Sequence, residues 1–248
     1  MHIGLPKEIK DGEYRVALTP AGVGVLAQAG HAVSVQPGAG AESGFGDADY
    51  ERAGARLADP WAGELVVKVK ELQSTEQRKP RRGQTIFCFQ HFAPDARLLE
   101  AALASGATFV AFETVGEADG SLPILKPMSR IAGRLAVQIG AWCLQKHQGG
   151  SGVLLPGVDG VPPGKVVIVG AGTVGSNALA VAHGMGAAVT VYDRSGARLP
   201  ELRQRYPDVL FSTAAPEVAD ADLVIGAVLV PGSLSPKLLT RATLRAMR

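Results

Sequence analysis

Cysteine is scarce in this sequence: Cys88 and Cys143 are the only two, they sit far apart in apolar segments, and they form no CxxC pair. Neither therefore reads as a zinc ligand, and both are expected to be buried packing thiols. Charge of one sign is also missing, because 25 Lys and Arg face 23 Asp and Glu for a formal net charge of +2. The basic residues are scattered among acids and form no stripe for a phosphate backbone, which excludes nucleic acid as a partner. No apolar run approaches the roughly 18 to 20 residues of a membrane helix, and Lys7, Glu8 and Lys10 interrupt any secretory segment at the amino end. Those gaps point to a cytoplasmic protein without membrane or metal partners. What is present is an ordinary globular composition, 46% hydrophobic over 248 residues. That is enough chain for two cores of about 100 to 150 residues each.

Strand signals alternate with helix signals throughout, which is the pattern of parallel sheets with both faces covered. His2–Leu5 reads as the first strand. Thr19 offers a capping oxygen, Pro20 suits a first helical position, and Gly30 closes the helix Ala21–Ala29. Ala32–Gln36, Leu65–Lys70, Thr85–Phe89 and Thr108–Phe112 read as further strands, with helices at Asp47–Ala53 and Asp95–Ser105. Ser129 is expected to cap a long helix, Ile131–Lys146. Its apolar positions Ile131, Leu135, Val137, Ile139 and Trp142 span more circumference than a one-sided surface helix needs. The segment Ser129–Lys146 is therefore placed between two domains, residues 1–128 and 129–248. The Gly- and Pro-rich stretch Gly149–Lys165 marks a loop before the second sheet.

That second sheet opens with the most specific local signal. Strand Val166–Val169 runs into Gly170, Ala171, Gly172, Thr173, Val174 and Gly175, a helix extends through Met185, and strand Ala188–Tyr192 ends in Asp193. In this context the G-x-G-x-x-G spacing is a dinucleotide fingerprint. Gly170 allows the tight turn, Gly172 lets backbone N–H groups approach a pyrophosphate at the helix N-terminus, and Gly175 permits close helix–strand packing. Asp193 is placed to accept hydrogen bonds from the ribose hydroxyls. A carboxylate there would repel a 2′-phosphate, so NAD is favoured over NADP, although Arg194 stands beside it.

The first half carries a different constellation. Lys70 lies at the carboxyl end of Leu65–Lys70, His91 lies just past Thr85–Phe89, and Arg15 sits in the loop after the first strand. Ligands of open α/β sheets bind outside those strand ends. Three groups could therefore converge: a guanidinium for bidentate carboxylate binding, an ammonium, and an imidazole that titrates near neutral pH.

From these residues outward the chain resembles the alanine dehydrogenase family over essentially its whole length. The resemblance runs through PKEIKDGEYRVALTPAGV from Pro6, KVKE from Lys68, Gln84–His91, FETV from Phe112, and PMS and AGR between Pro127 and Arg134. It continues through GGSGVLLPGVDGVPP from Gly149, the glycine loop, and ADLVIGAVLVPG from Ala221 to Gly232. The transhydrogenase alpha subunit is a related alternative that differs at the KVKE, ETV and GVLLPG segments.

The resemblance implies an α/β fold of two Rossmann-like doubly wound domains, the second a dinucleotide-binding domain cut short at its C-terminal end. It implies reversible, NAD-dependent conversion of L-alanine to pyruvate and ammonium by a homo-oligomer, commonly a hexamer. Arg15 and Lys70 would hold the substrate carboxylate, and His91 and Lys70 would act on the reacting centre. Ser129, Asp193 and Leu229 match positions that contact the dinucleotide, and Glu113 matches an acidic position without a clear role. The family continues beyond Met247 with further strands and a catalytic aspartate, so a chain ending at Arg248 is expected to be weakly active and prone to associate. A non-catalytic NAD(H)-binding fragment and a transhydrogenase-type hydride carrier stand as the other two readings.

Overall fold

A computed structural model describes residues 1–230 and 234–247 of the chain. It divides into two compact units, Met1–Leu122 and Pro123–Arg248, and each is built on its own parallel sheet.

In the first unit, β1 (His2–Leu5), β2 (Ala32–Val35), β3 (Arg56–Leu57), β4 (Leu65–Val67), β5 (Thr85–Cys88) and β6 (Thr108–Ala111) pair in the order β3-β2-β1-β4-β5-β6. The pairings are parallel, for example Leu5 with Val35 and Val67 with Phe87. Successive residues on β4 explain why both faces must be covered. Val67 joins a cluster with Ile3, Val23, Val35 and Tyr50, whereas its neighbour Val66 joins Trp61, Ile86, Cys88 and Leu98 on the other side. The helices α1 (Pro20–Gln28), α2 (Asp47–Arg52) and α3 (Ala96–Ser105) start where the sequence signals place them. The Thr19 hydroxyl accepts from Gly22 N at 3.2 Å, and Asp95 accepts from Leu98 N at 3.0 Å. Strand β4 is shorter than Leu65–Lys70, because Lys68 turns its ammonium into a buried ion cluster and the chain leaves the ladder there.

The second unit begins with α4 (Leu125–Cys143) and continues through β7 (Lys165–Val169), α5 (Thr173–Gly184), β8 (Ala188–Tyr192), α6 (Leu199–Arg205), β9 (Leu210–Ser212), β10 (Leu223–Gly226) and α7 (Arg241–Arg245). Its sheet runs β10-β7-β8-β9, all parallel. The expected cap at Ser129 is wrong, since α4 starts six residues earlier than Ile131 and Ser129 lies inside it. Pro127 is tolerated at the third position because the first N–H groups of a helix have no intrahelical acceptor. Strand β10 stops at Gly226, partway through the matched segment that begins at Ala221. Of the matched segment Ala221–Gly232, Pro231 and Gly232 lie outside the described residues.

Helix α4 has two apolar faces. Gly133, Val137 and Gly140 are buried, and a Cβ on Gly133 would lie 2.2 Å from Val174 O, so the absent side chain is what lets α4 sit against α5. Ile131, Leu135, Ile139 and Trp142 form a second stripe that is exposed. Cys143 falls one turn after Ile139 on that stripe and is exposed too, which corrects the expectation of two buried thiols; Cys88 alone is buried. Among the described residues no helix is long and apolar enough to cross a membrane, and no group of three His, Cys, Asp or Glu is placed to hold a metal ion.

Candidate functional site

Four adjacent strands, β1, β4, β5 and β6, end on the same edge of the first sheet, and the loops that leave them carry the candidate residues. The order reverses between β1 and β4, the topological position at which open α/β sheets bind ligands.

The β1 and β4 loops are tied together by Glu8. Its carboxylate accepts Val69 N at 2.6 Å and Lys70 N at 3.3 Å, and it pairs with the Lys68 ammonium at 3.0 Å. Lys68 is fully buried and reaches Glu76 at 3.3 Å and the Lys70 carbonyl at 3.3 Å. Burial pushes the Glu76 carboxyl above its ordinary range against the attraction of Lys68. This cluster fixes the backbone of Lys70, whose own ammonium is partly exposed.

Arg15 and Lys70 then meet across a carboxylate. Glu13 accepts Arg15 Nε at 2.7 Å and Arg15 Nη2 at 2.5 Å, a bidentate fork, and lies 4.0 Å from Lys70 Nζ. The hydrogen bonds from Arg15 hold Glu13 below the usual carboxylate range although burial opposes them, and they raise the Arg15 guanidinium in turn. A cavity of about 400 Å³ lies here, lined by Lys10, Asp11, Gly12, Glu13, Tyr14, Arg15 and Lys70.

His91 joins the same edge through Glu71. Glu71 Oε2 lies 2.7 Å from His91 Nδ1, and its other oxygen pairs with Lys10, which lines the cavity. The backbone of His91 is held as well. Glu113 accepts His91 N at 2.9 Å and Gln90 N at 3.1 Å. His91 is the one non-glycine residue with positive φ, 49°, among the described residues, a conformation that persists only when neighbours impose it. Glu113 thus has a role that its position in the sequence left open. Glu8, Glu13 and Glu71 escaped sequence reasoning for a common reason: each looks like a solvated acid in a charged loop, and only long-range contacts, to Lys68, Lys70 and His91 respectively, show what it joins.

In the second unit the glycine turn follows its sequence reading closely. Gly170 has φ 106°, and a Cβ on Gly175 would fall 1.8 Å from Gly170 O, so a side chain at Gly175 would break the turn. Space at Gly172 is open, Gly172 caps α5, and Thr173 and Val174 form its first turn. Asp193 follows β8 and accepts Ala171 N at 2.7 Å, Ser195 Oγ at 2.6 Å, Ser195 N at 3.0 Å and Gly196 N at 3.1 Å. Burial raises the Asp193 carboxyl, but those hydrogen bonds outweigh it and hold it ionised below its usual range. Ser129 lies one turn before Gly133 on the same face of α4, and Leu229 follows β10 in an exposed segment.

Comparison with known proteins gives this arrangement a family. The alanine dehydrogenase/PNT N-terminal domain model matches residues 4–132, and the corresponding C-terminal domain model matches residues 136–248. The chain belongs to the alanine dehydrogenase/PNT family. Alanine dehydrogenase from Halomonas elongata is 51% identical over all of this chain and 70% of its own length. That from Mycobacterium tuberculosis strain H37Rv is 48% identical, with the same coverage. Among solved structures, an L-alanine dehydrogenase superposes with a TM-score of 0.89 at 46% identity, covering the whole chain and 72% of that structure. A transhydrogenase from Sinorhizobium meliloti is more distant, with a TM-score of 0.78 and 28% identity over the whole chain and 76% of its own. Family membership classes the chain among oxidoreductases and makes its second unit the NAD(H)-binding domain of Rossmann type.

Proposed function

We propose that this chain carries out the reversible oxidative deamination of L-alanine to pyruvate and ammonium, with Arg15, Lys70 and His91 as the groups that handle substrate. The observation that carries this reading is the clasp on Glu13: a guanidinium and an ammonium at one strand-end crevice already hold a carboxylate between them. An amino or keto acid presents the same group to the same donors.

The second unit fits NAD(H) on its own features. Open space at Gly172, an N-terminus of a 12-residue helix behind it, and an ionised Asp193 at the end of β8 suit a pyrophosphate and a ribose. When bound, NAD(H) supplies the hydride chemistry at the substrate Cα.

Within the first unit, Arg15 orients the substrate carboxylate by its planar fork, and Lys70 adds a point charge whose backbone is fixed by Glu8. His91 moves protons on the carbonyl oxygen as ammonia adds and water leaves, work suited to an imidazole near neutral pH. The exposed stripe Ile131, Leu135, Ile139 and Trp142 supports a further part of the reading, that copies of the chain self-associate.

Oxidation of NADH that requires both pyruvate and ammonium tests the proposal directly. Enhanced NADH fluorescence without that oxidation would favour a binding-only chain. Hydride exchange between nucleotides that ignores pyruvate would favour a transhydrogenase-type carrier.

A further inference from the structure

We propose that Glu71 is a positioning residue for His91: its carboxylate accepts the hydrogen bond of Nδ1–H, which keeps the proton on Nδ1 and leaves Nε2 as the nitrogen that exchanges protons with substrate. The inference deepens the dehydrogenase reading and rests on it for the purpose, though not for the geometry.

Three contacts on three parts of His91 support it. Glu113 fixes the backbone N–H at 2.9 Å, and the Phe89 ring stacks on the imidazole at 5.8 Å with the planes 8° apart. Glu71 Oε2 then meets Nδ1 at 2.7 Å. Backbone and ring plane are thus set before the nitrogen contact is made, so the carboxylate decides which nitrogen holds the proton and not where the ring points.

Glu71 is suited to accept and not to donate. Its side chain is only 14% exposed, its other oxygen is paired with Lys10, and the hydrogen bonds from Lys10 and His91 overcome burial to hold its carboxyl at about 2. A carboxylate that stays ionised can only accept, so a neutral imidazole opposite it must present Nδ1–H. The side chain of His91 is 44% exposed, and Nε2 has no protein hydrogen bond among the described residues. The accessible nitrogen is therefore the one with the free lone pair. The charged groups around the imidazole are Glu71, Glu113 at its backbone, and Lys10 beyond Glu71. Holding an imidazole in one tautomer by a carboxylate on its far nitrogen is the same physical device that orients the histidine of hydrolase triads.

The test reads the tautomer and needs no turnover. The full chain labelled with 15N-histidine would be examined by long-range 1H–15N spectra at alkaline pH, where imidazoles are neutral. His91 would be assigned by the peaks lost in His91→Asn. Wild type should show His91 in the Nδ1–H form. Glu71→Gln, whose amide oxygen can still accept, should retain it. Glu71→Met, which cannot accept, should shift the ratio about tenfold or more toward the Nε2–H form that free imidazole prefers, the size expected for losing a hydrogen bond to a charged group. Wild-type His91 in the Nε2–H form overturns the proposal even if the Met variant fails to fold. So does a folded Glu71→Met with an unchanged ratio. A chain with the expected tautomers but no pyruvate-dependent NADH oxidation would instead sink the dehydrogenase reading and leave the positioning role standing.

Discussion

The carboxylate of Glu113 accepts the backbone N–H of His91 at 2.9 Å across 22 residues of sequence, and it does so at a non-glycine residue held at φ 49°. A strand-end loop is thus pinned from the neighbouring strand end, with the turn after β6 supplying the acceptor and the loop after β5 the donor.

Replacing Glu113 by Ala removes acceptors from two amides and lets His91 relax toward negative φ. The expected cost is about 1.5 to 3 kcal/mol of stability, the range for hydrogen bonds to a charged group. Urea denaturation measures it, with NADH binding as a control that should not change. A loss under about 0.5 kcal/mol would show that the loop holds itself.

Arg15→Lys keeps the charge but loses the planar fork. Affinity for pyruvate should fall about tenfold or more through KM, with kcat changed less, because the interaction lost is one that orients bound carboxylate in both ground and transition state. Steady-state kinetics at saturating NADH and ammonium give the split. An unchanged KM would take the carboxylate away from Arg15.

Lys68→Met leaves the Glu8 and Glu76 carboxylates buried without their shared cation. Removing one partner of a buried ion cluster costs about 3 to 5 kcal/mol, so the urea midpoint should drop sharply. If Lys68→Met is as stable as wild type, the cluster is not what fixes the Lys70 backbone.

Glu71 is ionised in the fold down to about 2, against an ordinary value of 4.5. A depressed carboxylate contributes stability that is complete above 4.5 and is lost as pH falls toward about 2. The urea midpoint of wild type should therefore decline through that window more steeply than that of Glu71→Gln. Parallel pH profiles would contradict it.

Burial raises the Cys88 thiol, while Cys143 lies on the exposed stripe of α4. A thiol reagent should label one site in the native chain, Cys143, and a second only after denaturation. Fast native labelling of Cys88 would mean that the first unit opens readily.

Local pattern reached far into this fold. Thr19 was readable as a cap because capping depends on a side chain and an amide three residues away, while Asp95, read as the first residue of its helix, is the cap that precedes it. The glycine turn was readable because its spacing reflects contacts within one strand–turn–helix unit. The start of α4 was not, since Ser129 reads as a cap unless the helix is seen to begin ahead of it.

By itself the sequence determined the alternation of strands and helices, the glycine turn with Asp193, and the strand ends on which Arg15, Lys70 and His91 fall. All of these follow from periodicity and short-range chemistry. Only the tertiary structure decided which acids serve them: Glu13 between Arg15 and Lys70, Glu71 on His91, Glu113 beneath it, and Glu8 with Lys68 under Lys70. Apart from Glu13 with Arg15, two residues away, those pairs join segments that leave different strands, and such a partner is fixed by strand order and register, which spacing along the chain does not encode.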